Sequence, residues 1–106
     1  MSIDDKIKRF KEAMSGEKDP DVILTSKAIL QGYSFFKLGI NFTTARLRFG
    51  NHCKDCEYNV PDPVESMKED DKQIPELSGR MCSHCGGCVL SYKTRQNIKK
   101  CEFWNE

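Results

Sequence analysis

The sequence has no long hydrophobic run, no excess of either charge and no apolar leader. Its most apolar stretch, Val22 to Phe42, is interrupted by Lys27, Gln31 and Lys37, whereas a membrane-spanning helix needs about 20 consecutive, mainly apolar residues. No membrane contact is therefore expected. The opening "MSIDDKIKRF" is charged throughout and lacks the apolar centre of a secretory signal, so the expected setting is intracellular and reducing. Lysine and arginine number 17 against 16 acidic residues, which gives no overall pull towards nucleic acid or an anionic membrane. Also missing are a nucleophile elbow, a phosphate-cradling glycine loop and a paired-carboxylate frame. Neither catalysis nor a small-molecule substrate is expected, and no internal repeat stands out.

What the chain does have is cysteine. With 106 residues, 38% of them hydrophobic, it can bury one modest core, and a staple would help to hold it. Six cysteines in a reducing setting read as metal ligands before disulfides. "HCKDC" carries Cys53 and Cys56, "MCSHCGGC" carries Cys82, Cys85 and Cys88, and Cys101 follows. Two C-x2-C pairs match the two-knuckle spacing of a tetrahedral zinc site. Two intervening residues let the backbone turn tightly enough to bring both sulfurs to one ion, and amides of that turn donate to the sulfurs. Gly86 allows the positive φ that often completes such a knuckle.

Cys53, Cys56, Cys82 and Cys85 are the expected zinc ligands. Cys88 and Cys101 are the alternates: buried thiols under the ion, replacements for a nominal ligand, or members of a second site. His52 and His84 are expected beside the ion or on the surface rather than bound to it. An iron–sulfur cluster is the weaker alternative. C-x2-C-x2-C begins a ferredoxin-type run, but Val89 to Tyr92 contain no fourth cysteine and Glu102 follows Cys101. Dithiol exchange at Cys85 and Cys88 lacks a surrounding thioredoxin-like pattern.

Along the chain, Ile3, Ile7, Phe10 and Met14 form one helical stripe, with Ser2 as N-cap, Asp4 and Asp5 in the first turn and Gly16 as a stop. This helix is expected to pack on the rest of the chain, with docking to a partner as the alternative. Asp19 and Pro20 start a second helix that runs to about Leu38. It is apolar on more than one face, as in a central helix, and Tyr33, Phe35 and Phe36 would otherwise form an exposed aromatic patch. Gly39 and Asn41 break it, "TTARLRFG" forms a short third helix, and Gly50 is expected to end that. Residues 57–78 hold seven acids against two lysines, with three prolines, and read as a long acidic loop, functional or mobile. Short strands are expected near residues 79–81 and 88–95. The resulting expectation is an α+β protein: a helical segment, 1–50, followed by a small zinc-ribbon-like, cysteine-rich unit, 51–106.

Four thiolates close a zinc site to water and substrate, so function is expected in surfaces. A protein-binding module docking on a larger assembly is the first expectation, with Phe103 and Trp104 either tucked into the core or used as an anchor. The alternative is nucleic-acid binding through "SYKTRQNIKK", where Tyr92 is interleaved with Lys93, Arg95, Lys99 and Lys100. Salt-dependent retention on heparin separates the two.

Between Arg46 and Trp104 the pattern Cys53, Cys56, Cys82, Cys85, Gly86, Cys88, Lys93, Cys101 and Trp104 resembles small cysteine-rich proteins of tailed bacteriophages. Gly87 adds a residue before Cys88, and Glu102 stands where that pattern often has proline. The resemblance implies a zinc-ribbon-type domain without assigned activity, in a viral accessory or virion-associated protein that works by binding in the host cytoplasm or in the particle.

Overall fold

The computed structural model describes residues 3–84 and 88–104. It combines helices with a small antiparallel sheet, as expected of an α+β protein. Helix α1 spans Ile3–Met14. Ile7, Phe10 and Met14 are half-buried while most of their neighbours are exposed, which is the stripe that the four- and three-residue spacing predicts. Phe10 meets Leu30 of the next helix across a shared recess. The proposed Ser2 cap and the Gly86 knuckle position lie outside the described residues.

Helix α2, Pro20–Leu38, starts and stops where its local chemistry dictates. The Asp19 side chain accepts from the Asp21 N–H, Pro20 occupies the first turn, and Gly39 closes the helix at φ 70°, a conformation that costs glycine little. The face it buries most deeply is small rather than bulky, consisting of Ala28 and Gly32. Tyr33 and Phe36 flank that strip and pack on the Tyr92 ring, with centroids 5.5 and 5.7 Å away. The aromatic residues at 33 and 36 thus join the two halves of the chain.

Gly32 permits this approach. A Cβ there would lie 2.4 Å from the Tyr92 carbonyl oxygen and 2.8 Å from its carbon, contacts that backbone cannot relieve by changing rotamer. Helix propensity alone favours Gly32→Ala by about 1 kcal/mol. The packing reverses that sign, and we expect a net loss of about 1–3 kcal/mol, read as a lower urea midpoint at unchanged slope.

Helix α3, Phe42–Arg48, does not end at Gly50. The backbone continues through a π-helical turn, Phe49–Cys53, closed by the Lys54 N–H on the Phe49 carbonyl at 2.8 Å. Glycine was expected to stop the helix. Here it lies exposed with open space around its α-carbon, and the extra turn carries Cys53 into the core. Asn41 precedes α3 at φ 63° and makes no side-chain cap. Its amide instead donates to the Arg95 carbonyl at 2.7 Å.

The sheet has the order β1 (Asn59–Pro61), β2 (Arg80–Cys82), β3 (Cys88–Val89), antiparallel throughout, with Asn59 opposite Cys82 and Cys82 opposite Cys88. The expected strand at 79–81 is shifted by one residue, and the one at 88–95 is cut to two. Helix α4, Leu90–Lys93, takes its place. Positions 89–91 and 93–96 are all buried, so the alternation that an edge strand needs is absent. Thr94 Oγ1 donates to the Leu90 carbonyl at 2.7 Å, fastening the helical turn.

Residues 57–78 carry short regular elements within the expected loop. They contain β1 and two single 3-10 turns, Glu65–Met67 and Pro75–Leu77, and Ile74 and Leu77 are fully buried. The acids act as local turn formers. Asp62 Oδ1 accepts from the Val64 N–H at 2.9 Å, and Asp71 Oδ1 accepts from Gln73 and Ile74 at 3.1 and 2.9 Å. The core draws on both halves: Ala45, Cys53, Ile74, Leu77, Cys82, Leu90 and Trp104 form one cluster.

Candidate metal centre

The C-x2-C segment at 53–56 forms the tight turn its spacing predicts, with the Cys56 N–H donating to the Cys53 carbonyl at 3.2 Å. Asn59 braces it through Nδ2 on the same carbonyl at 2.9 Å. The π-helical turn approaches from one side and β2 delivers Cys82 from the other. Cys53, Cys56 and Cys82 line a single recess of about 230 Å³.

Cys85 lies outside the described residues. Cys101 lines the recess with the other three thiols. Cys88, although opposite Cys82 in the sheet, does not line it and borders two neighbouring recesses instead. Trp104 forms part of the wall, is only 3% exposed and donates its indole N–H to the Cys53 thiol. Among the described residues no three His, Cys, Asp or Glu side chains are gathered into a ready coordination cluster.

The Cys53 thiol is shifted by its surroundings. Burial pushes the Cys53 thiol up to about 11, the Trp104 hydrogen bond pulls it down, and the like charge of Cys101, Cys56 and Cys82 pushes it up again. His52 also lines the recess. His84 is on the surface, paired with Glu102 and packed against the rings of Tyr58 and Phe103, with centroids 4.7 and 5.0 Å away.

In the basic stretch 91–100, Ser91 and Lys93 to Gln96 are buried, Tyr92 and Lys99 are half-buried, and Asn97, Ile98 and Lys100 are exposed. Arg95 is 0% exposed. Its Nη1 donates to Asp71 Oδ2 at 2.8 Å and its Nη2 to Asp71 Oδ1 at 3.0 Å. Lys93 is buried, with Nζ on the Lys99 carbonyl at 2.7 Å and its ammonium 5.7 Å from the Trp104 ring centre. Tyr92 is wedged between Tyr33 and Phe36. Lys99 Nζ donates to Thr25 Oγ1 at 2.8 Å, and Lys100 is exposed. Of the acids in residues 57–78, Asp71 folds back beneath the stretch and pairs with Arg95.

Arg48 belongs with this site, and the sequence reading missed it. Buried at the end of α3, it donates Nη1 to the carbonyls of Thr94 and Gln96, both at 2.9 Å, and Nη2 to Asn97 Oδ1 at 2.8 Å. Its guanidinium lies 4.6 Å from the Trp104 ring centre. The only local signal is an arginine on the helix face shared with Ala45. Among the described residues no helix is long and apolar enough to cross a membrane. Compared with family models, curated proteins and solved structures, the chain finds no match.

Proposed function

We propose that the protein is a non-catalytic, zinc-held module that works by binding another protein, in keeping with the tailed-phage resemblance and its implied place in a larger viral assembly. The observation that supports this reading is the recess lined by thiols from separate segments of the chain. Cys53, Cys56 and Cys82 would hold the ion together with a fourth thiolate, giving the cysteine-rich part a zinc-ribbon-like character. The ion would contribute folding energy and leave no open position for chemistry.

Binding through protein contacts is favoured over nucleic acid by where the charges and the apolar side chains lie. Three of the five residues that would have gripped phosphate and base are packed into the interior. Meanwhile the C-terminal ends of α2 and α3 expose Leu38 (63%) and Leu47 (60%), side chains whose covering by a partner would be favourable.

Protein purified without added metal should carry one zinc per chain by elemental mass spectrometry, and it should leave heparin at low salt. A metal-free protein with an unchanged melting temperature would defeat the zinc assignment. Strongly salt-dependent heparin retention would favour nucleic acid instead. Leu38→Asp with Leu47→Asp should abolish capture of the native partner while zinc content stays constant.

A further inference from the structure

We propose that Cys88 and Cys82 are a redox-active pair: Cys88 exchanges with an anionic small-molecule disulfide such as oxidised glutathione, and Cys82 then closes a disulfide between β2 and β3. The pair does not depend on the zinc reading.

The sheet sets the pairing. Cys82 stands opposite Cys88 in the antiparallel β2–β3 register, where facing α-carbons are about 4.5–5.5 Å apart. A disulfide spans about 4.4–6.8 Å between α-carbons, so the bond fits these strands without a change of register. Facing residues also share one side of the sheet, and the movement required is rotation of the two side chains.

Exposure and charge give the two thiols different parts. Cys82 is 8% exposed and lines the inner recess with Cys53. Cys88 is half-buried and borders a separate recess of about 350 Å³ with Lys93, Lys99, Lys100, His84 and Glu102. Three lysines there outnumber the carboxylates, which are Glu102 in the wall and Asp21 at 3.6 Å from Lys99 Nζ. Reactive cysteines occupy partly exposed, electropositive surroundings of this kind, and a net positive recess attracts an anionic oxidant. Cys101 borders the same recess but lies outside the sheet, so no strand register sets it against another thiol.

The exchange proceeds in two balanced steps. The Cys88 thiol releases its proton to water, and its sulfur attacks one sulfur of the small disulfide. A Cys88–glutathione bond forms as that disulfide bond breaks, and the first glutathione leaves as a thiolate and takes up a proton. The Cys82 thiol then loses its proton and attacks the Cys88 sulfur, expelling the second glutathione, which is protonated in turn. Two cysteine thiols are oxidised and one glutathione disulfide is reduced to two thiols. Closure commits the Cys82 sulfur to β3 and leaves the inner recess one free thiol fewer.

The test treats full-length, fully reduced protein with oxidised glutathione. Remaining thiols are then blocked under denaturing conditions, and the tryptic peptide Met81–Lys93 is mapped by mass spectrometry. Wild type should carry the block at Cys85 and none at Cys82 or Cys88, with the peptide lighter by the two hydrogens lost to the new bond. Cys82→Ser should stop at the Cys88–glutathione adduct, and Cys88→Ser should leave Cys82 reduced. The wild-type reaction should slow several-fold in about 1 M salt, where charges are screened within about 3 Å. Bis(hydroxyethyl) disulfide, which is neutral, should show no such slowing. Cys88 joined to Cys85 or Cys101, a lasting wild-type adduct at Cys88, or thiols that all stay reduced would overturn the pair. Mapping of wild type decides the matter alone if a serine variant fails to fold. Zinc counted on the same reduced sample tests the metal reading separately, so either result can fail while the other stands.

Discussion

Chelating the proposed zinc should unfold the entire chain, helices included, rather than loosen only its cysteine-rich part. A structural zinc of this type contributes on the order of 10 kcal/mol to folding, comparable with the about 5–15 kcal/mol that separates native from unfolded chains. The effect cannot stay local, because the core that contains Cys53 and Cys82 also contains Ala45 of α3, Ile74, Leu77 and Leu90. Helix α2 in turn rests on α4 through Gly32 and Tyr92. With a strong chelator present, the far-UV helical signal should fall and the cooperative thermal transition should vanish, both returning when zinc is restored. Helices that keep their signal after the metal has been stripped would show that the N-terminal half folds by itself.

Removing the Arg95 side chain should be the most damaging single substitution outside the cysteines. Arg95 and Asp71 form a two-pronged pair, with side chains 0% and 1% exposed. Such a pair is weak evidence of net stabilisation as a unit, yet breaking it strands a buried charge at a cost of about 3–5 kcal/mol. Arg95 also donates to the Ser91 carbonyl at 2.8 Å, and Ser91 Oγ donates to Asp71 Oδ2 at 2.8 Å, so the network ties α4 to the segment before the 3-10 turn at Pro75. Arg95→Ala should lower the denaturant midpoint steeply or prevent folding. Asp71→Leu combined with Arg95→Met should recover part of the loss. Recovery stays incomplete, because Asp71 also accepts the Gln73 and Ile74 amides.

The same pair sets a pH dependence. Burial on its own would raise the Asp71 carboxyl, but Arg95, the Ile74 amide and Ser91 more than offset it and hold the group below its ordinary value. A carboxyl depressed in the folded state stabilises above its unfolded pKa, about 3.9, and that contribution disappears as pH falls through the folded value. Wild-type stability should therefore decline below about pH 4. The gap between wild type and Arg95→Ala should narrow over the same range, because protonating Asp71 removes the stranded charge. A gap that stays constant on acidification would mean that the pair is not what Arg95→Ala disrupts.

The elements legible beforehand are those specified by neighbours along the chain. Asp19, Pro20 and Gly39 mark the ends of α2 because capping and left-handed closure need only adjacent residues, and the spacing of Cys53 and Cys56 implies a turn by the same logic. The stripe on α1 likewise follows from a repeat of three and four residues. The strand expected at 88–95 survives only at Cys88–Val89, because burial beyond it is nearly continuous and comes from partners far away in sequence. Asp71 is 24 residues from Arg95, and Arg48 is 46 residues from the Thr94 carbonyl it holds. An isolated reading of "SYKTRQNIKK" shows exposed cations, since the carboxylate that lets Arg95 be buried, Asp71, is 24 residues away.

Local composition thus determined where helices begin and end and which thiols sit in turns. Tertiary packing decided that Lys93 and Arg95 are buried, that Gly50 passes through a π-helical turn, and that Cys101 rather than Cys88 borders the recess at Cys53. The physical reason is range. Caps and turns are settled by hydrogen bonds between neighbours, whereas the burial of a charge or a thiol depends on which distant segment folds against it.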